Sequence, residues 1–490
     1  MKRTKPFIVL AAVMIAALLL PVGAGAADGD IPVMLDDKVL SFTDAAPQMV
    51  SDRVMLPFRA VFEALGAEVG WDAETATVSA IKDGRTVAFV VGSKTVSVTE
   101  NGESRTFETD VAPFIDGRLG RTYVPTRFAA EAMGYTVGWD SSRDTVVIID
   151  GEKLKNEADA KFTVFNDLIK KSAAMTKDKT LKSDSSFSGR LVVDKASLGA
   201  DEDIALSLSG TQRDVAAGTA TESSGSVSID VGTLRDTLLA DPDMDDMQKI
   251  MLTSVLNAID RIDYGVRGSL DGDLYITLGS LNSLIFGIDN DSWVKLELGE
   301  MASAAQMSMG VTAAMVGGDV TVGDIISIVI DTAYVDSVDA YKSIKAAIDA
   351  IELMLGDANI TTSTRGNTTV YSSRTTGADL AGLTGEDMGD LAFDFEYSFE
   401  VTGEEIGDAN VAMKLSSEEA GLTMDMKVSS VGIRSSSVAL SFGIAGTASL
   451  EIEASSNVSE TGESPVLTPP AGASVYGIDE VAEPIAIPAA

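Results

Sequence analysis

The chain has no histidine and no cysteine among its 490 residues, against 74 aspartates and glutamates. Without imidazole there is no Ser-His-Asp relay and no ordinary acid/base switch near neutral pH. Thiolate and imidazole are also the usual donors for copper and zinc. The expectation is therefore no metal and no cofactor. Carboxylates remain, and a pair of them suffices for glycoside hydrolysis, but the separation that matters is in space and no pair stands out along the chain. No G-x-S-x-G elbow and no P-loop occur. The one S-x-x-K, Ser79 to Lys82, lacks the companion motifs of penicillin-binding enzymes. Asp241, Asp243 and Asp245 begin like a calcium loop, yet position six is Asp246 and position twelve Leu252. They read as a helix N-terminus. No catalytic, cofactor-binding or metal residue is assigned. The candidates left are apolar: Phe393, Phe395, Tyr397, Phe399, Met413, Met424 and Met426, types that make an adaptable wall for an apolar ligand and serve equally well in an ordinary core.

Those seven residues need strands to hold them. "LAFDFEYSFEV" puts Leu391, Phe393, Phe395, Tyr397, Phe399 and Val401 on one face and Asp394, Glu396, Ser398 and Glu400 on the other, as in a half-buried antiparallel strand. The alternation recurs at Val411/Met413/Leu415, Leu422/Met424/Met426/Val428 and Val438/Leu440/Phe442/Ile444, with breaks such as "SSEEAG". A meander of long strands follows. Two helical stretches interrupt it. One opens at Asp241-Pro242; the other carries Val338, Tyr341, Ile344, Ile348, Ile351 and Leu355 on one side and stops at Gly356. Upstream, residues 151–182 read as a connecting helix with Leu154, Phe162, Phe165, Leu168 and Ile169 on one side. From Glu463 onward the chain holds five of its 13 prolines and is expected to be extended and mobile, with 481–490 as a flexible tail.

The N-terminus has Lys2, Arg3 and Lys5, an apolar run from Phe7 to Leu20, Pro21 and then Ala24-Gly25-Ala26. That is the layout of a secretory signal peptide over residues 1–26, and the run is shorter than the roughly 20 residues that cross a bilayer. No later stretch is apolar and long enough to span, so no transmembrane segment is expected after cleavage. Losing three basic residues takes the formal charge from −37 to −40. Such a surface repels phosphate backbones, which excludes nucleic acid as a partner. A bacterial protein that is secreted, extracellular or associated with the cell envelope is the expectation.

The front of the chain is written twice. "RVMLPFRAVFEALGAEVGWDAETATV" from Arg53 lies over "RTYVPTRFAAEAMGYTVGWDSSRDTV" from Arg121, with Pro57/Pro125, Arg59/Arg127, Glu63/Glu131, Gly66/Gly134 and the Val-Gly-Trp-Asp block identical. In each copy a strand ends at proline, a short helix closes on glycine, and a hairpin follows through Trp71 or Trp139. The Arg-Glu pairs fall at i,i+4 and read as surface ion pairs, and the two tryptophans as core. These blocks resemble the copper amine oxidase N-terminal-like domain, or stalk domain, over residues 31–150. The resemblance implies a small α/β module used as a surface appendage and does not imply oxidase chemistry, whose copper needs histidines. Each copy is expected to supply half of one core.

In the back region, "GDLYITLGSLNSLIFGIDNDSWVKLEL" and "VLTPPAGASVYGIDE" resemble the LolA-type and LppX/LprG-type exported carriers, in which a half-open antiparallel barrel capped by helices holds acyl chains. The fold class expected is α+β: a small duplicated strand-helix-hairpin module, a connecting helix at 151–182, and a large antiparallel, half-barrel-like sheet with covering helices over 183–480. The leading functional expectation is a non-enzymatic exported envelope protein. Its stalk would serve surface projection or cell-wall association, and its β domain would bind an apolar ligand or a protein. A lipid or lipoprotein carrier and a carboxylate-based cell-wall hydrolase stay open. The partners this leaves are a cell-wall polymer, an envelope protein, or an apolar or lipid ligand.

Overall fold

The computed structural model describes residues 31–198, 202–240, 244–297, 320–332, 337–385 and 389–481. The leader at 1–26, Asp241 to Asp243 and the last nine residues lie outside the described residues. The chain forms two compact units. One takes its described residues from 31–160 and 322–348, the other from 161–321 and 349–481.

In the first unit the duplicated motif folds twice. Strand Arg53–Pro57 runs into helix Phe58–Ala64, and Arg121–Pro125 into Thr126–Ala132. Pro57 and Pro125 stand just before the first turn, where a missing N–H costs nothing. Gly66 and Gly134 end the helices at φ of +81° and +89°, the left-handed region that favours glycine. The hairpins Glu68–Asp72/Thr77–Lys82 and Thr136–Asp140/Thr145–Ile149 follow. The copies meet where Leu56 pairs with Val124, flanked by Pro57–Tyr123 and Met55–Pro125. One core then joins Phe58, Val61 and Phe62 of the first copy to Ala129, Ala130, Val146 and Ile148 of the second. Neither copy encloses that core by itself. The Tyr135 hydroxyl adds a polar link: it donates to the Leu65 carbonyl at 2.8 Å and accepts from Lys82 Nζ at 2.5 Å, reaching from the second copy to the first.

The second unit is mostly β. Its sheet has 14 strands, running in sequence order from Thr361–Arg365 to Ala448–Glu460, then crossing to Thr180–Val193 and running on to Trp293–Glu297. Every neighbouring pair is antiparallel except the last, where Val475–Gly477 lies parallel to Trp293–Glu297. The sheet is therefore mixed, and the proline-rich end does not hang free as expected from Glu463. Arg267 donates to the Thr468 carbonyl and the Val466 N–H to the Glu222 carboxylate, each at 3.0 Å. An edge strand with unpaired backbone groups is a template for such an addition.

The helices also differ in detail from expectation. Residues 151–182 hold two, Gly151–Lys161 and Thr163–Thr176. The second starts on the Asp357 carboxylate, which accepts from the Thr163 and Val164 N–H groups. Helix Asp246–Asp260 begins later than Asp241-Pro242 suggests, through a capping box between Asp245 and Gln248. Met247, Ile250, Met251 and Val255 on it are exposed, so it lies beside strands Ala220–Asp230 and Arg261–Ser269 without spending that side on the sheet. Among the described residues no helix is long and apolar enough to cross a membrane.

Candidate binding surface on the two faces of one sheet

Side chains alternate between sheet faces, and directly paired residues share a face. The registers therefore place all seven candidate residues on one side. Phe395, Met413, Met426 and Leu440 form one cross-strand row, and Phe393, Leu415, Met424 and Phe442 the next. The row through Tyr397 continues with Val411, Val428 and Val438. Much of this face is packed solid. Phe395 is 1% exposed, and Tyr397, Phe399 and Met426 are buried too. Phe165, from helix Thr163–Thr176, meets the rings of Tyr397 and Phe399 edge-on at 5.6 and 5.9 Å, and Tyr371 stacks on Phe399 at 5.0 Å. Burial pushes the Tyr397 hydroxyl far above its usual range. Phe393, Met413 and Met424 are only half-buried, as are Leu440, Phe442, Leu450 and Ile452 farther along. The candidate set thus divides into a core and an open apolar strip.

A large cavity lies on the other face. It is a half-open trough of about 1200 Å³, and of the seven candidates only Tyr397 borders it. Tyr397 points to the apolar side by strand alternation, so the floor there is backbone. Along the trough runs a row of small polar side chains in register: Thr361 pairs with Ser372, Ser372 with Ser398, Ser398 with Asn410, and Asn410 with Ser429. Ser429 pairs in turn with Ser437, Ser437 with Ser455, Ser455 with Ser186, Ser186 with Thr211, and Thr211 with Ser226. Ten successive strands each contribute one hydroxyl or amide. Neighbouring hydroxyls touch at 2.8 Å for Ser429 and Ser437 and at 3.1 Å for Ser186 and Ser455. A second cavity of about 660 Å³ shares Ser186 and Ser455 and prolongs the trough toward Ser226.

Charge along the trough is balanced. Arg374, Lys427, Arg213 and Arg261 supply four positive charges. Glu396, Glu453, Asp184 and Asp263 supply four negative ones. Arg374 is further tied to Asp394 by two bonds of 2.8 Å. One sign of this row is local: small polar residues such as Ser398 and Ser429 alternate with the apolar positions of their strands. Their alignment depends on register, which the alternation alone leaves open.

In the first unit the Arg-Glu pairs of the repeat stay on the surface. Arg59–Glu63 is an exposed pair at 3.2 Å and Arg127–Glu131 one at 3.9 Å. Trp139 packs against the core, half-buried. Trp71 does not: it is 46% exposed, on strand Glu68–Asp72 at the edge of its five-stranded sheet. The two Val-Gly-Trp-Asp aspartates diverge as well. Asp72 caps its own turn by accepting from the Glu74 N–H and the Thr75 hydroxyl. Asp140 is 2% exposed and accepts from Ser142, from Arg143 at 2.9 Å and from the Val338 N–H at 3.1 Å, while Arg143 also clasps Asp339 with two bonds of 2.9 Å. Desolvation works against the Asp140 carboxylate, but these donors outweigh it and hold the carboxyl at about 2. Ser79 and Lys82 share a strand, and Lys82 serves Tyr135.

Among the described residues no three His, Cys, Asp or Glu side chains gather so as to hold a metal. Residues 34–148 match the family model of the copper amine oxidase N-terminal domain. The copper of that name finds no familiar donors here, since the chain contains neither histidine nor cysteine. No curated protein matches the chain.

Proposed function

We propose that this is a non-catalytic, exported protein of the bacterial cell envelope, whose copper amine oxidase N-terminal-like unit projects or anchors it and whose large sheet is a binding surface. The observation that carries the reading is the polar trough of about 1200 Å³ crossing the sheet. One row of this face, ten strands long, carries small hydroxyl or amide groups between charged neighbours such as Glu396, Lys427 and Glu453, and leaves a concavity. Export is supported by the leader pattern at 1–26. The test is co-sedimentation of the purified chain with isolated envelopes of the producing cells. Ser429→Leu with Ser437→Leu should fill the middle of the trough and abolish sedimentation. Equal sedimentation of this variant and the parent overturns the reading.

A second reading, an acyl-chain carrier built on a half-barrel, is favoured by one observation: the half-buried apolar strip through Met424, Phe442 and Leu450. Binding of a fluorescent acyl probe that Met424→Glu removes would support it. No binding by the parent chain would sink it.

A further inference from the structure

We propose that the trough holds an extended, uncharged, polyhydroxylated polymer, a glycan chain lying across the strands. This rests on the binding reading above and names its ligand class. The hydroxyl row advances by one side chain per strand, at an inter-strand spacing of about 4.8 Å. That is close to the rise of one sugar unit in an extended glycan, so successive units meet successive Ser, Thr or Asn groups. Charge narrows the class. The whole chain carries −37, yet the trough balances four positive against four negative groups. A polyanion gains no attraction in the trough and meets repulsion from the rest of the surface. A polycation would be drawn to the acidic surface at large and away from this neutral strip.

Direction separates a glycan from a peptide. A peptide adds to a sheet by pairing with an open strand edge. The trough crosses the middle of the sheet, where strands such as Glu405–Ser417, Leu422–Val431 and Ser435–Ile444 are paired on both sides. What the trough offers is side-chain hydroxyls and amides, each able to donate and accept, the complement of sugar hydroxyls. The flanking Lys427 and Glu453 add a charged donor and a charged acceptor. Neutral hydrogen bonds made in exchange for water are individually weak. Binding must therefore accumulate along the polymer.

The experiment is calorimetric titration of the full chain with N-acetylglucosamine oligomers and cello-oligosaccharides from dimer to octamer, and with polygalacturonate as the anionic control. The expected result is affinity that rises roughly tenfold or more from dimer to octamer, no binding of polygalacturonate, and loss of octamer binding in Ser429→Leu/Ser437→Leu. Because added bulk could disturb the strands, Ser398→Ala/Asn410→Ala, which removes polar groups without filling space, should also weaken the octamer while thermal melting stays unchanged. Octamer binding no tighter than dimer, unchanged octamer binding by both variants, or preference for polygalacturonate overturns the assignment. If neutral oligomers fail while Ser429→Leu/Ser437→Leu still abolishes envelope sedimentation, the glycan falls and the binding surface stands. If a soluble peptide competes for that sedimentation, the ligand is protein and the glycan is excluded.

Discussion

Asp140 shows how one duplicated residue acquires a different job. Its folded carboxyl sits at about 2, below the ordinary 3.8, so ionisation favours the folded chain. That contribution is fully present above about pH 4 and is lost as the pH falls toward 2, worth roughly 2 kcal/mol. Asp140→Asn should therefore cost about 1–3 kcal/mol at pH 7 and flatten the pH dependence of urea denaturation between about pH 4 and 2. An unchanged acid profile would contradict the ion cluster. The aromatic candidates separate by burial in the same assay. Phe395→Ala should cost about 3–5 kcal/mol as a core deletion, while Trp71→Ala should stay within about 0.5 kcal/mol. The types and alternation of these residues were readable in the sequence. Which of them met a covering helix was not, because Phe165 lies 232 residues before Tyr397 and their contact has no local signature.

At the scale of elements, the repeat was legible because its signals are local: proline before the helix, apolar residues at i, i+3 and i+4, and glycine after it. Gly134 and Gly66 make the comparison testable. Both have positive φ, but a methyl group at Gly134 would stand 2.7 Å from Arg85 Nη1, whereas Gly66 has only Lys82 Cε, at 4.0 Å. Gly66→Ala should cost about 1 kcal/mol, and Gly134→Ala more unless Arg85 swings aside. Equal melting temperatures for the two variants would show that it does. The trough was illegible for the opposite reason. Its row is assembled from ten strands spread over residues 186 to 455, and a one-residue slip in any ladder would turn that strand's serine to the apolar face. The tail strand Val475–Gly477 has no local signature, because proline-rich composition says nothing about an edge that receives it.

For the whole molecule, the absence of histidine and cysteine leads to a plain expectation: equilibrium dialysis should find no stoichiometric copper. One tightly held copper per chain would contradict it and reopen oxidase chemistry. The central claim is that the sheet works through its polar face. Hydroxyl-radical footprinting of the chain, free and bound to isolated envelopes, tests this most directly, because the two faces carry different residues on the same strands. The account predicts protection of Arg374 and Lys427 along the trough, with Met413, Met424 and Phe442 on the opposite face oxidised as in the free chain. Protection of Met413, Met424 and Phe442 with the trough left open would contradict it and assign the binding to the apolar strip.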